Sequence, residues 1–243
     1  MKLLIDAGNS RAKWEVADLN GTVAGSSGQL DDSALFDDIA PFASALTGVA
    51  ISIVASESAQ SQLIARLSQL TSAPINIYHT ESARGGLRCA YNNPASMGAD
   101  RWHALYAAWS RCRAALVVVD AGSAITIDFV SAEGVHQGGY ILPGRRMMLR
   151  GLSQDTARVH FGEDSLKSWL PGKSTDECVQ HGMNWFWRAL AGQLATDCAS
   201  RKVEHIFLTG GDADDLVAAG LAAQQVPRLV LEGLARIDAE SVP

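Results

Sequence analysis

Apolar and polar positions recur with two different periods along this chain, and the changes of period mark its elements. Residues 3–9 (LLIDAGN) and 116–129 (LVVVDAGSAITIDF) each run as an apolar strand into Asp-Ala-Gly and a small polar residue. Strand-like patterning resumes over 12–17 and 126–131 and stops at Asn20-Gly21 and Glu133-Gly134. Each stretch therefore predicts a β-meander with a polar turn at its first corner. Asp6 lines up with Asp120 and Gly8 with Gly122, so the chain carries one device twice. After the first meander, the spacing predicts a helix over 31–45 with Asp31, Asp32 or Ser33 as N-cap. A buried strand over 48–55, a helix over 56–70 and a short strand over 74–79 follow. Strand–helix alternation after an antiparallel start predicts a mixed α/β sheet with helices packed on it.

Residues 80–97 show no clear period, whereas 104–112 are plainly helical, with Asp100 and Arg101 in or just before the opening turn. The second meander closes over 135–142, where Gly138, Gly139 and Gly144 flank a short apolar strand. A basic helix opens after Pro143-Gly144 and carries Arg145, Arg146 and Arg150, with Met147 and Met148 as core or subunit-interface residues. Residues 152–171 read as irregular and polar. Ser174 and Glu177 have capping-box spacing and lead a long helix to about Ser200. Its Trp185, Phe186 and Trp187 are expected to be buried between lobes. A strand over 205–208, a Thr-Gly-Gly-Asp turn at 209–212 and two short helices complete the chain, which divides into lobes at 1–113 and 114–243.

Composition narrows the function classes. The 243 residues carry a formal net charge of -6, which argues against a general nucleic-acid binder, since backbone phosphates call for clustered Lys and Arg. One Lys and a short apolar run before Asp6 make neither a secretory leader nor a membrane span. Cys89, Cys112, Cys178 and Cys198 lack CxxC spacing and read as reduced, mostly buried thiols of a cytoplasmic protein.

Candidate chemistry gathers at the corners. Gly122 permits close backbone approach, while Asp120 and Ser123 place a carboxylate and a hydroxyl beside any phosphate lying there; a plain hairpin with a polar tip is the alternative. Two such corners facing each other across a cleft would hold a polyphosphate. Asp100 suits a helix cap as well as a site, but Arg101 at a helix start asks for an anionic partner. The paired glycines at 138–139 fit either a bulge or the close passage of a ligand or backbone. Thr-Gly-Gly-Asp fits an approach to a nucleotide or an ordinary strand-to-helix turn.

In order, DAGNSRAK at 6–13, Tyr91 with Pro94, GADRW at 98–102, DAGSAIT at 120–126, GGYILPG at 138–144, ST..CV..G at 174–182 and TGGD at 209–212 resemble the type III pantothenate kinases. That family is a branch of the superfamily of acetate and sugar kinases, actin and heat-shock-chaperone ATPases. The resemblance implies a duplicated ribonuclease-H-like α/β fold with two lobes around a nucleotide cleft, and transfer of the ATP γ-phosphoryl to the primary hydroxyl of pantothenate in coenzyme A synthesis. It places phosphate binding at Asp6, Ala7, Gly8, Asn9, Ser10, Arg11, Ala12, Lys13, Gly122 and Ser123. Asp6 would orient Mg²⁺ through water, and Asp120 would hold a monovalent cation, K⁺ or NH₄⁺. Asp100 matches the catalytic base; Tyr91, Gly98, Ala99, Arg101 and Thr175 match the remaining substrate-binding positions. A homodimer is implied, with Arg158 and His160 as contributors in trans. This chain has Ser123 where the family usually has Thr, Ser174 where Asn is frequent, and Cys178 where Ala is usual. A non-catalytic transcriptional accessory protein on the same scaffold is the rival reading, and a sugar kinase of the superfamily a third.

Overall fold

The structure, a computed structural model, describes residues 1–8, 11–18, 21–30, 32–156, 159, 161–162 and 168–241. It opens with strands β1 (Lys2–Ala7), β2 (Arg11–Asp18) and β3 (Gly21–Gln29), helix α1 (Ser33–Ile39), strand β4 (Gly48–Ile53), helix α2 (Glu57–Leu70) and strand β5 (Ile75–Tyr78). A small hairpin of β6 (Ala83–Arg84) and β7 (Leu87–Arg88) precedes helix α3 (Ala99–Cys112). The same succession then repeats as β8 (Leu116–Ala121), β9 (Ala124–Val130), β10 (His136–Pro143), α4 (Arg145–Asp155), α5 (Thr175–Ser200), β11 (His205–Thr209), α6 (Ala213–Ala218), β12 (Gln224–Gln225) and α7 (Leu229–Ser241).

The two sheets have one topology. The first is ordered β3-β2-β1-β4-β5 and the second β10-β9-β8-β11-β12. In each, the leading strand pairs antiparallel with its hairpin neighbour and parallel with the strand that returns after a helix. The expected duplication is thus present, as two mixed sheets with flanking helices. Two compact units result: Met1–Arg111 with Arg228–Pro243, and Cys112–Pro227. The chain is therefore not simply halved at 113/114, because α7 returns to the first unit.

Period-two alternation explains how the first sheet is covered. Leu3, Ile5 and Ala7 of β1, with Trp14, Val16 and Ile51, face Leu35, Phe36, Leu63 and Leu67 of α1 and α2. Leu4 and Ala50 point the other way, onto Leu231 and Leu234 of α7. β4 is consequently buried at every position, as a parallel strand covered on both faces must be. α7 is also tied by charge. Buried Asp238 takes Lys2 Nζ at 2.9 Å and the Tyr78 hydroxyl at 2.8 Å, and burial together with Asp238 pushes the Tyr78 phenol up to about 12. Glu240 accepts from the Tyr106 hydroxyl at 2.7 Å and from Arg84 at 3.2 Å, Glu232 pairs with Arg111, and Arg228 pairs with buried Glu15. In the second unit, Val117, Val119, Ile125 and Ile127 meet Trp187, Ala191 and Leu194 of α5 and Leu216 of α6.

Several local expectations change. The helix expected over 31–45 becomes α1 capped by Asp32, whose carboxylate accepts from Ala34 N at 3.0 Å, followed by a 3₁₀ turn at Ala40–Ala45 that contains Pro41. Proline cannot donate to the α-helical ladder, so the tighter turn takes over. Asp31 lies outside the described residues. α4 runs to Asp155, so 152–155 are helical rather than irregular. Of the three aromatics on α5, Trp187 is buried in its own unit's core and Phe186 packs against it, but Trp185 is 66% exposed. A 3.6-residue period cannot turn three successive side chains the same way. Among the cysteines only Cys198 is buried, and Cys178 is exposed. α7 is 13 residues long, not a short helix. Ser174 Oγ accepts from Glu177 N at 3.2 Å as a cap should, while the Glu177 carboxylate takes Lys173 N at 2.6 Å.

The glycine pair of β10 is a bulge that also makes room. Gly138 has φ +88, register shifts between His136 and Gly139, and a Cβ on Gly139 would lie 2.0 Å from Ile127 O and 2.5 Å from Asp128 Oδ1. That space admits the buried Asp128 carboxylate, 2.9 Å from His136 Nε2. Gly139→Ala is expected to lower stability by about 1–3 kcal/mol through overpacking, read as a lower urea midpoint at unchanged slope.

Candidate active site

Both leading strands end in the same way. Asp6 is the penultimate residue of β1 and stands opposite Lys13 in the β1–β2 register. Asp120 is the penultimate residue of β8 and stands opposite Thr126. Gly8 N donates to Arg11 O at 2.9 Å and Gly122 N to Ala124 O at 3.0 Å, which closes the two corners alike. Ala7 and Ala12 are fully buried; among the described residues of the first corner, Asp6 and Lys13 are partly exposed and Arg11 is exposed. Asn9 and Ser10 lie outside the described residues, as do Arg158 and His160.

The second corner is wrapped by two segments that only glycine fits. A Cβ on Gly144 would lie 2.1 Å from Gly122 O, and one on Gly210 would lie 2.2 Å from Ala121 O and 2.5 Å from Asp120 Oδ1. Gly144 N donates to Ser123 O at 3.1 Å and Asp212 N to Ala121 O at 2.8 Å. The glycine-rich stretches at 138–144 and 209–212 thus serve one corner from two directions. Gly122 itself has φ outside the left-handed region, and a Cβ there would make ordinary contact, 3.6 Å from Asp120 Oδ1 and 3.9 Å from Ala124 O. Burial, followed by the nearby Asp215 carboxylate, raises the pKa of Asp212, while Arg146 and Arg145 oppose the rise.

The third feature is the start of α3. Asp100 lies in its first turn, and its Oδ1 accepts from Arg101 N at 2.8 Å, so the carboxylate does satisfy a helix-start amide. It also packs against Gly98, where a Cβ would sit 2.5 Å from that oxygen. Arg101 is 7% exposed and donates from Nη1 to the Tyr91 hydroxyl at 3.0 Å. Thr80 Oγ1 donates to Met97 O at 2.9 Å and steadies the loop that leads into the helix. A depression of about 240 Å³ opens beside it, lined by Val54, His79, Thr80, Met97, Gly98 and Ala99 among others. Val54 and His79 directly follow β4 and β5, so the depression lies off the carboxyl ends of parallel strands, where ligands of open α/β sheets bind. Val54 N donates to Ala7 O at 3.0 Å, which ties this edge to the first corner.

Within the first unit, then, Tyr91, Gly98, Ala99, Asp100 and Arg101 come together at one sheet edge, with Asp6 and Lys13 on the neighbouring corner. Thr175, exposed at the start of α5, belongs to the other unit with Asp120, Gly122 and Ser123.

A sequence profile for type III pantothenate kinase matches residues 2–197. The chain belongs to that family. A type III pantothenate kinase of Marinobacter nauticus is 45% identical over 242 residues, 100% of each chain. Among solved structures, a conserved Campylobacter jejuni protein, provisionally named a Baf family transcriptional activator, is 23% identical with TM-score 0.62 over 98% of both chains. A provisionally named 2-dehydro-3-deoxygalactonokinase of Sinorhizobium meliloti is 15% identical with TM-score 0.62, covering 100% of this chain and 97% of the other. At those identities the two structures share the fold.

Val54, His79 and Thr80 line the depression, and motif reasoning missed them. The signal was there: each directly follows or nearly follows a strand of the parallel half of the sheet. His103 lies one turn beyond Asp100 on α3. It is fully buried, and neither ring nitrogen has a hydrogen-bond partner among the described residues. Burial, aided by His79 and Arg84, lowers its pKa from 6.5 to about 3. A folded-state pKa below the unfolded one means that the unfolded chain takes up the proton first. The stability contributed by neutral His103 is complete above pH 6.5 and is lost as pH falls toward 3. Between pH 7.5 and 5 the loss from this group is expected to be about 2 kcal/mol, measured by thermal unfolding. In His103→Leu that share of the acid sensitivity disappears.

Proposed function

We propose that this chain transfers the γ-phosphoryl group of ATP to the primary hydroxyl of pantothenate, the first committed step toward coenzyme A, in a cytoplasmic homodimer. The observation that carries the reading is the joint setting of Asp100, Arg101 and Tyr91 next to Gly98, itself on the wall of a depression, in a chain that belongs to the type III pantothenate kinases.

Asp100 accepts the proton of the attacking hydroxyl. In a loose phosphoryl-transfer transition state that proton leaves late, so the carboxylate chiefly orients the alcohol and needs no raised basicity. Arg101 receives the substrate carboxylate. A guanidinium is a planar fork of donors matched to a carboxylate, and the burial of Arg101 strengthens a charge-assisted bond. Gly98, where a Cβ would crowd the Asp100 carboxylate, lets that carboxylate keep its place at the start of α3, and Thr175 completes substrate binding. Lys13 and the first corner, with Gly122 and Ser123 of the second, bind the phosphates.

Among the described residues no group of three or more His, Cys, Asp or Glu is placed to hold a metal ion. The Asp6 carboxylate, a hard oxygen donor, fits Mg²⁺ that arrives with the nucleotide and is steadied through water. Asp120, bordered by main-chain carbonyls of its corner, presents an all-oxygen donor set suited to K⁺ or NH₄⁺. When bound, these cations offset negative charge on the phosphates. Tyr140 and Ile141 of β10 and Met147 of α4 are exposed, which supports that edge as the dimer surface. The accessory reading is not favoured, since the acid, Lys13 and both corners are all present.

Purified protein with ATP, Mg²⁺, K⁺ and pantothenate is expected to yield phosphopantothenate by mass spectrometry, and no product under those conditions refutes the assignment. Asp100→Asn should lower kcat by about 10²–10⁴-fold while circular dichroism and ATP affinity stay at parent levels; parent-like turnover would remove Asp100 as the base. Asp120→Ala is expected to shift the K⁺ activation curve to higher concentration. Activity indifferent to monovalent cations in both proteins overturns the cation site.

A further inference from the structure

Helix α7 meets the backbone of α3 at Gly233. A Cβ on Gly233 would lie 1.9 Å from the main-chain oxygen of His103 and 2.6 Å from its carbonyl carbon. Neither atom can rotate away, so a side chain at 233 must part the two helices. Regaining ordinary contact at 3.4 Å takes about 1.5 Å of movement in a close-packed interior.

His103 lies one turn along α3 from Asp100, and a helical turn transmits such a displacement because its hydrogen-bond ladder is stiff. The opening turn is held from the other direction by Thr80, through Met97 O and Gly98 O at 2.9 and 3.4 Å. α7 cannot simply give way: Asp238 and Glu240 bind it to Lys2, Tyr78, Tyr106 and Arg84. We infer that Gly233 is a positioning residue for phosphoryl transfer: its missing side chain lets α7 seat against His103 and fixes where α3 presents Asp100 and Arg101. The inference rests on the assignment of those two residues to pantothenate. Misplacing a reacting group by about 1 Å can lower turnover on the order of 100-fold, so the contact bears on rate as well as on stability.

The test compares the parent with Gly233→Ala, and with Leu231→Ala, which thins the contact of α7 with Leu4 and Ala50 but leaves the approach to α3 alone. Gly233→Ala is expected to lower kcat/KM for pantothenate on the order of 100-fold while KM for ATP stays within about twofold. It should also speed amide hydrogen exchange across residues 98–104. Leu231→Ala should lower Tm yet keep both kinetic constants within about twofold of the parent. If Gly233→Ala does not fold, Tyr106→Phe, which keeps the ring but removes the α3 bond to Glu240, should lower kcat/KM for pantothenate about three- to tenfold. A folded Gly233→Ala with parent constants and parent exchange overturns the proposal, as does a Tyr106→Phe with parent constants where Gly233→Ala is unfolded. If the parent phosphorylates no pantothenate, the functional assignment falls, and exchange across 98–104 alone decides for Gly233.

Discussion

The central strand of each sheet is bonded antiparallel on one side and parallel on the other, and the rest of the molecule follows from that constraint. On the antiparallel side the chain must turn at once, which makes a tight corner. On the parallel side it must leave through a helix and come back, which opens a gap beyond the strand end. Asp6 and Asp120 stand at the last position but one before those corners. A carboxylate there is held by a rigid strand yet borders bare backbone, a setting in which its charge can act on a ligand without the cost of full burial.

The corners differ in how they are closed. In the first unit the neighbouring strand end supplies Val54 N to Ala7 O, and the start of α3 brings Asp100 to the same edge. In the second, Gly144 and Gly210 come so near that main-chain atoms of other segments form the wall. One architecture has thus been furnished twice with different parts. The first unit carries acid, arginine and tyrosine; the second carries a hydroxyl, a carboxylate and a ring of peptide groups.

Much of this was legible in the sequence because it is local. Both corners, the strand order within each meander, the Ser174 cap and the position of Asp100 in the first turn of α3 depend on residues close together in the chain, where period and turn chemistry speak directly. What escaped was tertiary. Nothing in the apolar stripe of α7 says which sheet Leu231 and Leu234 will cover, and chain order points to the second unit whereas the helix covers the first. Trp185 looked like core because it adjoins Trp187, although a helix turns adjacent residues apart. Val54, His79 and Thr80 carry no motif; they matter through the strand ends they follow. Gly233 is an unremarkable helical glycine until the backbone of His103 is seen beside it.

The return of α7 to the first sheet has a further consequence during synthesis. When residues 1–111 have left the ribosome, Leu4 and Ala50 still face water, Asp238 has not been made, and Tyr78 has no carboxylate to meet. The nascent first unit cannot close its second face until α7 has been made, so the unit begun first is finished only after the whole of 112–227 has been synthesised.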